Sequence, residues 1–266
     1  MALGLIVYDL LYMILSFGLY GGALVVGGRV GLELSRWVPW PLAFLTGGLA
    51  ALVSLIFEVA LLTACMPRLK PGRYALMKGA VFYGWILRSL LRRILFLPGL
   101  KFVIFSSNIL RYCALTGLGA KISFTTNIST DADLFDPALT TLGPGATLGA
   151  RCLLSGHYIE EGMLVLGQIK VGARSLLAVE VMVGPSVTIG ERVTVKGRAA
   201  INVGVTIGDG ATIGGDVGLD VRCTVGAESE IGNCAYVGPR VELPPGTRLA
   251  ALARAESTTS SAAPAV

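Results

Sequence analysis

Hydrophobic positions follow two different rules along this chain. Residues 4–28 (GLIVYDLLYMILSFGLYGGALVVGG) and 38–65 (VPWPLAFLTGGLAALVSLIFEVALLTAC) are nearly unbroken apolar runs with one charge each, Asp9 and Glu58. Each exceeds the roughly 20 residues that carry a helix across a bilayer. The segment between them, RVGLELSRW, predicts a short polar hinge. Trp37 and Trp40 stand where interfacial aromatics gather. The first run lacks a basic leader and is long for a signal peptide, so an uncleaved helix is expected.

Residues 73–97 (RYALMKGAVFYGWILRSLLRRILFL) carry too much charge to span. On a helical wheel Lys78, Arg88, Arg92 and Arg93 share one arc and the large apolar residues fill the rest. That pattern predicts a helix lying in a membrane surface. Pro98-Gly99 ends it, and the mixed stretch to about residue 120 predicts a second interfacial helix.

After residue 119 the rule changes. Every sixth residue from Val171 to Leu249 is Val, Ile or Leu, and the same rhythm occupies Ile122, Ile128 and Leu134, then Leu142, Leu148 and Leu154. A helix needs a period of 3.6 and a simple strand a period of two. A period of six predicts short flat sides, three to an eighteen-residue coil, with the aliphatics stacked inward as one core. The next position is usually Gly, as at Gly172, Gly184, Gly190, Gly208, Gly214, Gly226 and Gly232, and is expected to let the chain turn. Two residues before each aliphatic stands a small or β-branched residue, such as Ser175, Ala199, Ala211 and Cys223. About seven coils fit. The expected divisions are 1–69, a transmembrane helical hairpin; 70–118, basic interfacial helices; 119–251, the coil stack; and 252–266, a Ser/Thr/Ala-rich tail too poor in apolar bulk to pack.

Composition agrees with this division. The 266 residues are 53% hydrophobic and 15% charged, with mean hydropathy +0.71; soluble domains carry about 25% charged residues. The net charge of +5 gathers at Arg68, Lys70, Arg73, Lys78, Arg88, Arg92, Arg93 and Lys101. Placed beside apolar helices, these cations suit anionic headgroups rather than nucleic acid. By the positive-inside rule they put the C-terminal part in the cytoplasm, at a bacterial inner membrane. Asp9 and Glu58 would share one depth, either as a polar patch for a membrane-embedded substrate or paired with Arg88 or Arg92. The five cysteines lack metal or disulfide spacing and read as small apolar residues. The single histidine, His157, excludes His-rich metal sites.

His157 lies in the interruption SGHYIEEGMLVLGQ, where the ladder takes seventeen residues from Leu154 to Val171 instead of eighteen. Breaks in solenoids map to loops, often on a binding face. Imidazole, with an ordinary pKa near 6.5, is neutral enough at pH 7 to accept a proton.

The ladder, above all residues 171–215, resembles the hexapeptide-repeat acyltransferases, whose fold is a left-handed parallel β-helix. With membrane helices ahead of it, and with RYCALTGLGAKIS and SGHYIEEGMLVLGQIKVGA, the chain also resembles the membrane-bound hexapeptide domains that end peptide synthetases of the polylysine synthetase type. The first resemblance implies transfer of an acyl group, acetyl in the simplest case, from a thioester to a hydroxyl or amine. His157 would be the general base, oriented by Glu160 or Glu161, or by Asp131, Asp133 or Asp136. Corner amides would hold the oxyanion. Lys196, Arg198 and Arg222 would receive donor phosphates, and Asn202, where Gly normally follows the rung, would be a corner hydrogen-bonder or a site residue. It also implies no tightly bound cofactor, acyl-coenzyme A or a carrier-bound thioester as co-substrate, and a homotrimer with the donor between subunits. The acceptor would be a peptide, lipid, glycan or small molecule near the membrane, with a peptide synthetase or carrier protein as a further partner.

Three other readings of the same ladder exist. A non-catalytic membrane-associated scaffold would leave His157 incidental. A γ-carbonic anhydrase type would need three histidines per metal. A sugar nucleotidyltransferase would need a separate Rossmann-like domain.

Overall fold

The computed structural model describes residues 2–256, with side chains from Ile6 onward. The chain forms two units, one of helices and one built on the ladder, to which residues 70–78 also belong.

In the helical unit, α1 (Ala2–Leu34) and α2 (Trp40–Ala64) are both long and apolar enough to cross a membrane. The hinge is shorter than the sequence suggested. Helix α1 runs through Arg29 to Leu34, and only residues 35–39 turn, ending at Pro39. The reason is packing. A Cβ on Gly47 would lie 2.7 Å from the Gly27 carbonyl and 3.2 Å from the Gly31 Cα, so the two helices touch backbone to backbone along a stripe of small residues. Their outward face is apolar, with Phe17, Phe44 and Phe57 each at least 66% exposed.

The basic stretch after α2 is not one helix from Arg73. Gly72–Ala75 is a strand that belongs to the other unit, and α3 begins only at Gly79 and ends at Leu95. Helices α4 (Pro98–Ser106) and α5 (Asn108–Gly117) follow, α5 capped by the Ser107 hydroxyl, which accepts from the Leu110 amide. Leu90, Leu91, Ile94 and Leu95 are fully buried on α3. Arg88 does not pair with Glu58. Its guanidinium donates to the Thr63 and Met66 carbonyls at 3.4 and 3.3 Å, at the carbonyl-rich end of α2, where a cation is favoured. Glu58 accepts from the Ser54 hydroxyl at 3.0 Å.

The ladder unit is a parallel β-solenoid of three seven-strand sheets. The first holds rungs Ile122, Leu142, Val171 and on to Leu243; the second Ile128, Leu148, Leu177 and on to Leu249; the third Leu134, Leu154, Val183 and on to Ala255. From Val171 to Val237 every rung aliphatic is at most 3% exposed. The small or β-branched residue two places earlier shares this core, with Ser175, Val187, Ala199, Ala211 and Cys223 at most 1% exposed. Burial pushes the Cys152 and Cys223 thiols up to about 12, so both act as apolar filler. The rung Arg254–Ala255 carries the stack past residue 251. Of the expected tail, residues 257–266 lie outside the described residues.

The corners differ from expectation in one respect. The left-handed residue stands three places after the aliphatic, and it is often charged: Arg174 (φ 57), Glu180 (φ 60), Arg192 (φ 54), Arg198 (φ 60), Arg222 (φ 58). A non-glycine residue there costs about 1–2 kcal/mol. The coil-to-coil hydrogen bond of its amide offsets this, as in Arg192 N–H to the Ala173 carbonyl and Arg222 N–H to the Val203 carbonyl. The glycine directly after the aliphatic has a different task. A Cβ on Gly214 would sit 2.6 Å from the Asn233 nitrogen and 2.7 Å from the Gly232 carbonyl carbon, both backbone atoms of the next coil. Gly214→Ala is therefore expected to destabilise the solenoid by about 2–3 kcal/mol through overpacking, read as a lower thermal midpoint.

Candidate active site

The ladder is interrupted twice, and both interruptions fall on the corner that leads from the third sheet back to the first. A regular step between rungs is six residues. From Leu134 to Leu142 the step is eight, and from Leu154 to Val171 it is seventeen, so the successive coils gain two and eleven residues at the same corner. The first insertion is a 3-10 turn, Pro137–Leu139, with Asp136 at its start. The second is a β-hairpin, His157–Glu160 paired antiparallel with Met163–Leu166. The strand Gly72–Ala75 adds to the hairpin's other edge and completes a three-stranded sheet.

These insertions bring Asp136 to His157. The Asp136 Oδ2 and His157 Nδ1 are 2.6 Å apart, with the carboxylate 3% and the imidazole 23% exposed. Against a carboxylate acceptor, Nδ1 must carry the hydrogen, which makes Nε2 the basic nitrogen of the neutral ring. Local contacts fix both partners. The Asp136 carbonyl accepts from the Leu139 amide at 3.0 Å and the Thr140 hydroxyl at 2.9 Å. The Ser155 hydroxyl donates to the His157 carbonyl at 2.9 Å. Gly156 and Gly167 close the hairpin base with an amide-to-carbonyl bond of 2.8 Å. A Cβ on Gly156 would lie 3.1 Å from the Asp136 Cβ and 3.0 Å from the Leu139 Cβ, so a glycine between Ser155 and His157 is what lets the strand lie against Asp136. The Phe135 ring lies 6.4 Å from the imidazole, tilted by 31°.

The two glutamates expected to orient His157 are placed elsewhere. Glu160 pairs with Met163 at the far end of the hairpin, and Glu161 (φ 47) occupies its turn; both are exposed. Glu160 is 3.9 Å from the Arg73 guanidinium. Strand pairing carries these side chains along the hairpin, away from the buried carboxylate at its base. Asp136, one of the three aspartates considered, is the residue that meets the imidazole.

The expected cations are also divided. Arg198 stands on the corner between the second and third sheets, in a column that alternates in sign: Arg151, Glu180, Arg198, Asp216. It holds Asp216 through two hydrogen bonds of 2.7 and 2.6 Å, which keep that carboxyl below the usual carboxylate range. Lys196 lines a groove of about 610 Å³ on the second sheet, with Glu230 and Arg248. Arg222 alone shares the corner of His157. It follows Ser186 and Gly204 there and precedes Arg240, and no salt bridge engages either arginine among the described residues. Asn202 donates to Asp220 one coil on at 3.2 Å, as a corner hydrogen-bonder would.

Ser186 was not singled out from the sequence. Between Arg174 and Leu252 each corner amide donates to the preceding coil, except that of Ser186 (φ 61). Its partner position was displaced when the preceding coil ran out into the hairpin. The Ser186 backbone packs directly against Gly167 at the hairpin base. A donor amide is therefore left over on the corner that holds the imidazole and its carboxylate.

No family model and no curated protein matches the chain. Solved structures do, through the solenoid. Among them are perosamine N-acetyltransferase from Caulobacter crescentus (16% identity, 54% of this chain and 60% of that one, TM-score 0.36) and the acetyltransferase domain of PglB from Neisseria gonorrhoeae (18%, 55% and 63%, 0.23). A third is serine acetyltransferase from Neisseria gonorrhoeae (16%, 62% and 52%, 0.26). The match spans less than two thirds of each of these relatives. At these identities the common ground is a repeat, and the chemistry of this chain has to be argued from its own residues.

Proposed function

We propose that the protein is a membrane-anchored acyltransferase that moves an acyl group, acetyl in the simplest case, from a thioester to a hydroxyl or amine. The observation that carries this reading is the 2.6 Å Asp136–His157 pair, created by two ladder interruptions at one corner. A buried carboxylate that holds Nδ1 of a part-exposed imidazole prepares Nε2 to accept a proton.

In the proposed reaction Nε2 takes the proton of the acceptor hydroxyl or amine as its oxygen or nitrogen attacks the thioester carbonyl. The Ser186 N–H supports the resulting oxyanion. The intermediate collapses with loss of the thiolate, which takes the proton back from the imidazolium. The acylated acceptor and a free thiol are the products, and His157 returns neutral. The donor is acyl-coenzyme A or a carrier-bound thioester. Arg222 and Arg240, about 10 and 15 Å beyond Ser186 at one strand spacing per coil, supply charge for its phosphates. Membranes holding the full-length chain should release thiol from acetyl-coenzyme A in a His157-dependent manner, read with a thiol reagent.

The assembly in this reading is a homotrimer that uses the third sheet. In its second to fifth coils the outward positions Leu153, Met182, Ala200 and Gly218 are small or apolar, with Met182 52% exposed, between Asp133 at one end and Tyr236 and Arg254 at the other, whereas the first sheet presents Thr188, Thr206 and Thr224. A flat apolar strip on one side suits a cyclic partner. Met182→Arg is expected to shift the detergent-solubilised protein from three chains to one by native mass spectrometry. An unchanged mass would remove the third sheet from the interface.

A further inference from the structure

We infer that the acceptor at His157 is borne by a membrane-resident amphiphile, a lipid whose headgroup carries the reacting hydroxyl or amine. This rests on the acyltransferase reading and names its acceptor. The argument is one of chain connectivity. The chain passes between the helical unit and the solenoid unit three times, after Leu69, after Lys78 and after Ala120.

All three joins lead to the part of the solenoid that carries the site. The first two bracket the strand Gly72–Ala75, which lies in the same sheet as the hairpin. His157, Leu166 and Gly72 occupy one row of that sheet. Two strand spacings put Gly72 about 10 Å from His157. The third join opens the first coil at Lys121, and the five coils from Val171 onward have no join of their own. The joins are short: eight residues from Ala64 of α2 to Gly72, four from Ala75 to Gly79 of α3, and four from Gly117 of α5 to Lys121.

The helices at the other ends of these joins have the chemistry of a lipid surface. Helix α2 is long and apolar enough to span a bilayer, and α3 carries Arg92 and Arg93 in its last turn, where anionic headgroups would meet them. The site end of the solenoid also shows large apolar side chains outward, Phe124 at 54% and Ile159, on the hairpin, at 56% exposure. A water-soluble acceptor reaches any coil by diffusion. A lipid headgroup is confined to a layer about 6 Å deep on each side of the bilayer. Tethering the catalytic sheet to the helices twice suits the second kind of acceptor.

The test follows the acyl group. Membranes of the cells that make the protein, containing the full-length chain or its His157→Ala variant, are incubated with radiolabelled acetyl-coenzyme A. They are then separated into organic-extractable lipid, precipitated protein and water-soluble products. The inference expects the His157-dependent label in the lipid fraction, at least ten-fold above the other two. His157-dependent label in protein or in water-soluble products overturns the lipid acceptor and leaves the acyltransferase standing. Equal labelling by wild type and variant in every fraction overturns both.

Discussion

Replacing His157 by alanine lowers acyl transfer by about 10²–10⁴-fold, the usual contribution of a positioned general base. The size follows from the chemistry of the step. A thioester is already activated, so the main task left to the protein is to make the acceptor nucleophilic while the oxyanion is held. The chain has one histidine, and it sits at the corner where two coils were lengthened. No neighbouring coil can substitute for it. His157 is not a rung residue, so the variant should keep its circular dichroism; loss of the partner of a carboxylate that is 3% exposed should lower the thermal midpoint, at a cost of about 1–3 kcal/mol. Thiol release by the His157→Ala variant as fast as by the wild type would sink the assignment.

Asp136→Asn is expected to lower the rate by about 10²–10³-fold with little change in donor affinity. The amide has nearly the same shape but can donate as well as accept. It therefore no longer restricts the imidazole to the tautomer with hydrogen on Nδ1, and it no longer balances the imidazolium that forms as the acceptor loses its proton. The side chain is 3% exposed, so solvent cannot replace it. Because both residues act as one unit, the His157→Ala, Asp136→Asn double variant should be no slower than His157→Ala alone. Glu160→Gln and Glu161→Gln, at the exposed end of the hairpin, are the matching controls and should stay within about twofold. If Glu160→Gln were as damaging as Asp136→Asn, the assignment of the orienting residue would have to move.

The comparison of these residues shows where sequence is informative. The rungs were legible because each aliphatic reports its own burial, and a period of six repeated from Val171 to Leu249 has few structural explanations. His157 was legible because it is unique and sits in the longer interruption. Asp136 was less so. Its signal was the step of eight from Leu134 to Leu142, a two-residue insertion that shows only when the rungs are assigned to sheets one coil at a time. That assignment also shows the longer gap to be a six-residue step with eleven residues added. Ser186 left no trace in composition, since its significance is a hydrogen bond that its neighbours make and it does not.

Other features depend on contacts distant in sequence. The strand Gly72–Ala75 pairs with Met163–Leu166, some ninety residues on, and no local periodicity in RYALM could report that partner. The glycines after each rung were read as turning residues, but the turn falls two places later, on Arg, Glu, Ser or Asp more often than on a glycine such as Gly204, Gly210 or Gly246. The glycines instead let adjacent coils approach. Helix α1 continues through Arg29 because Gly27 and Gly31 pack on Gly47, a fit that hydropathy alone cannot show.

The most direct test of the account is a structure of the full-length protein in a lipid nanodisc with coenzyme A bound. An acceptor atom must stand about 3 Å from the base and about 3–3.5 Å from the acyl carbon it attacks. The account predicts the coenzyme A sulfur within about 6 Å of the His157 Nε2, with the Ser186 amide beside it and the phosphates running toward Arg222 and Arg240. Coenzyme A seated in the groove of Lys196, Glu230 and Arg248, or failing to bind at all, would contradict it.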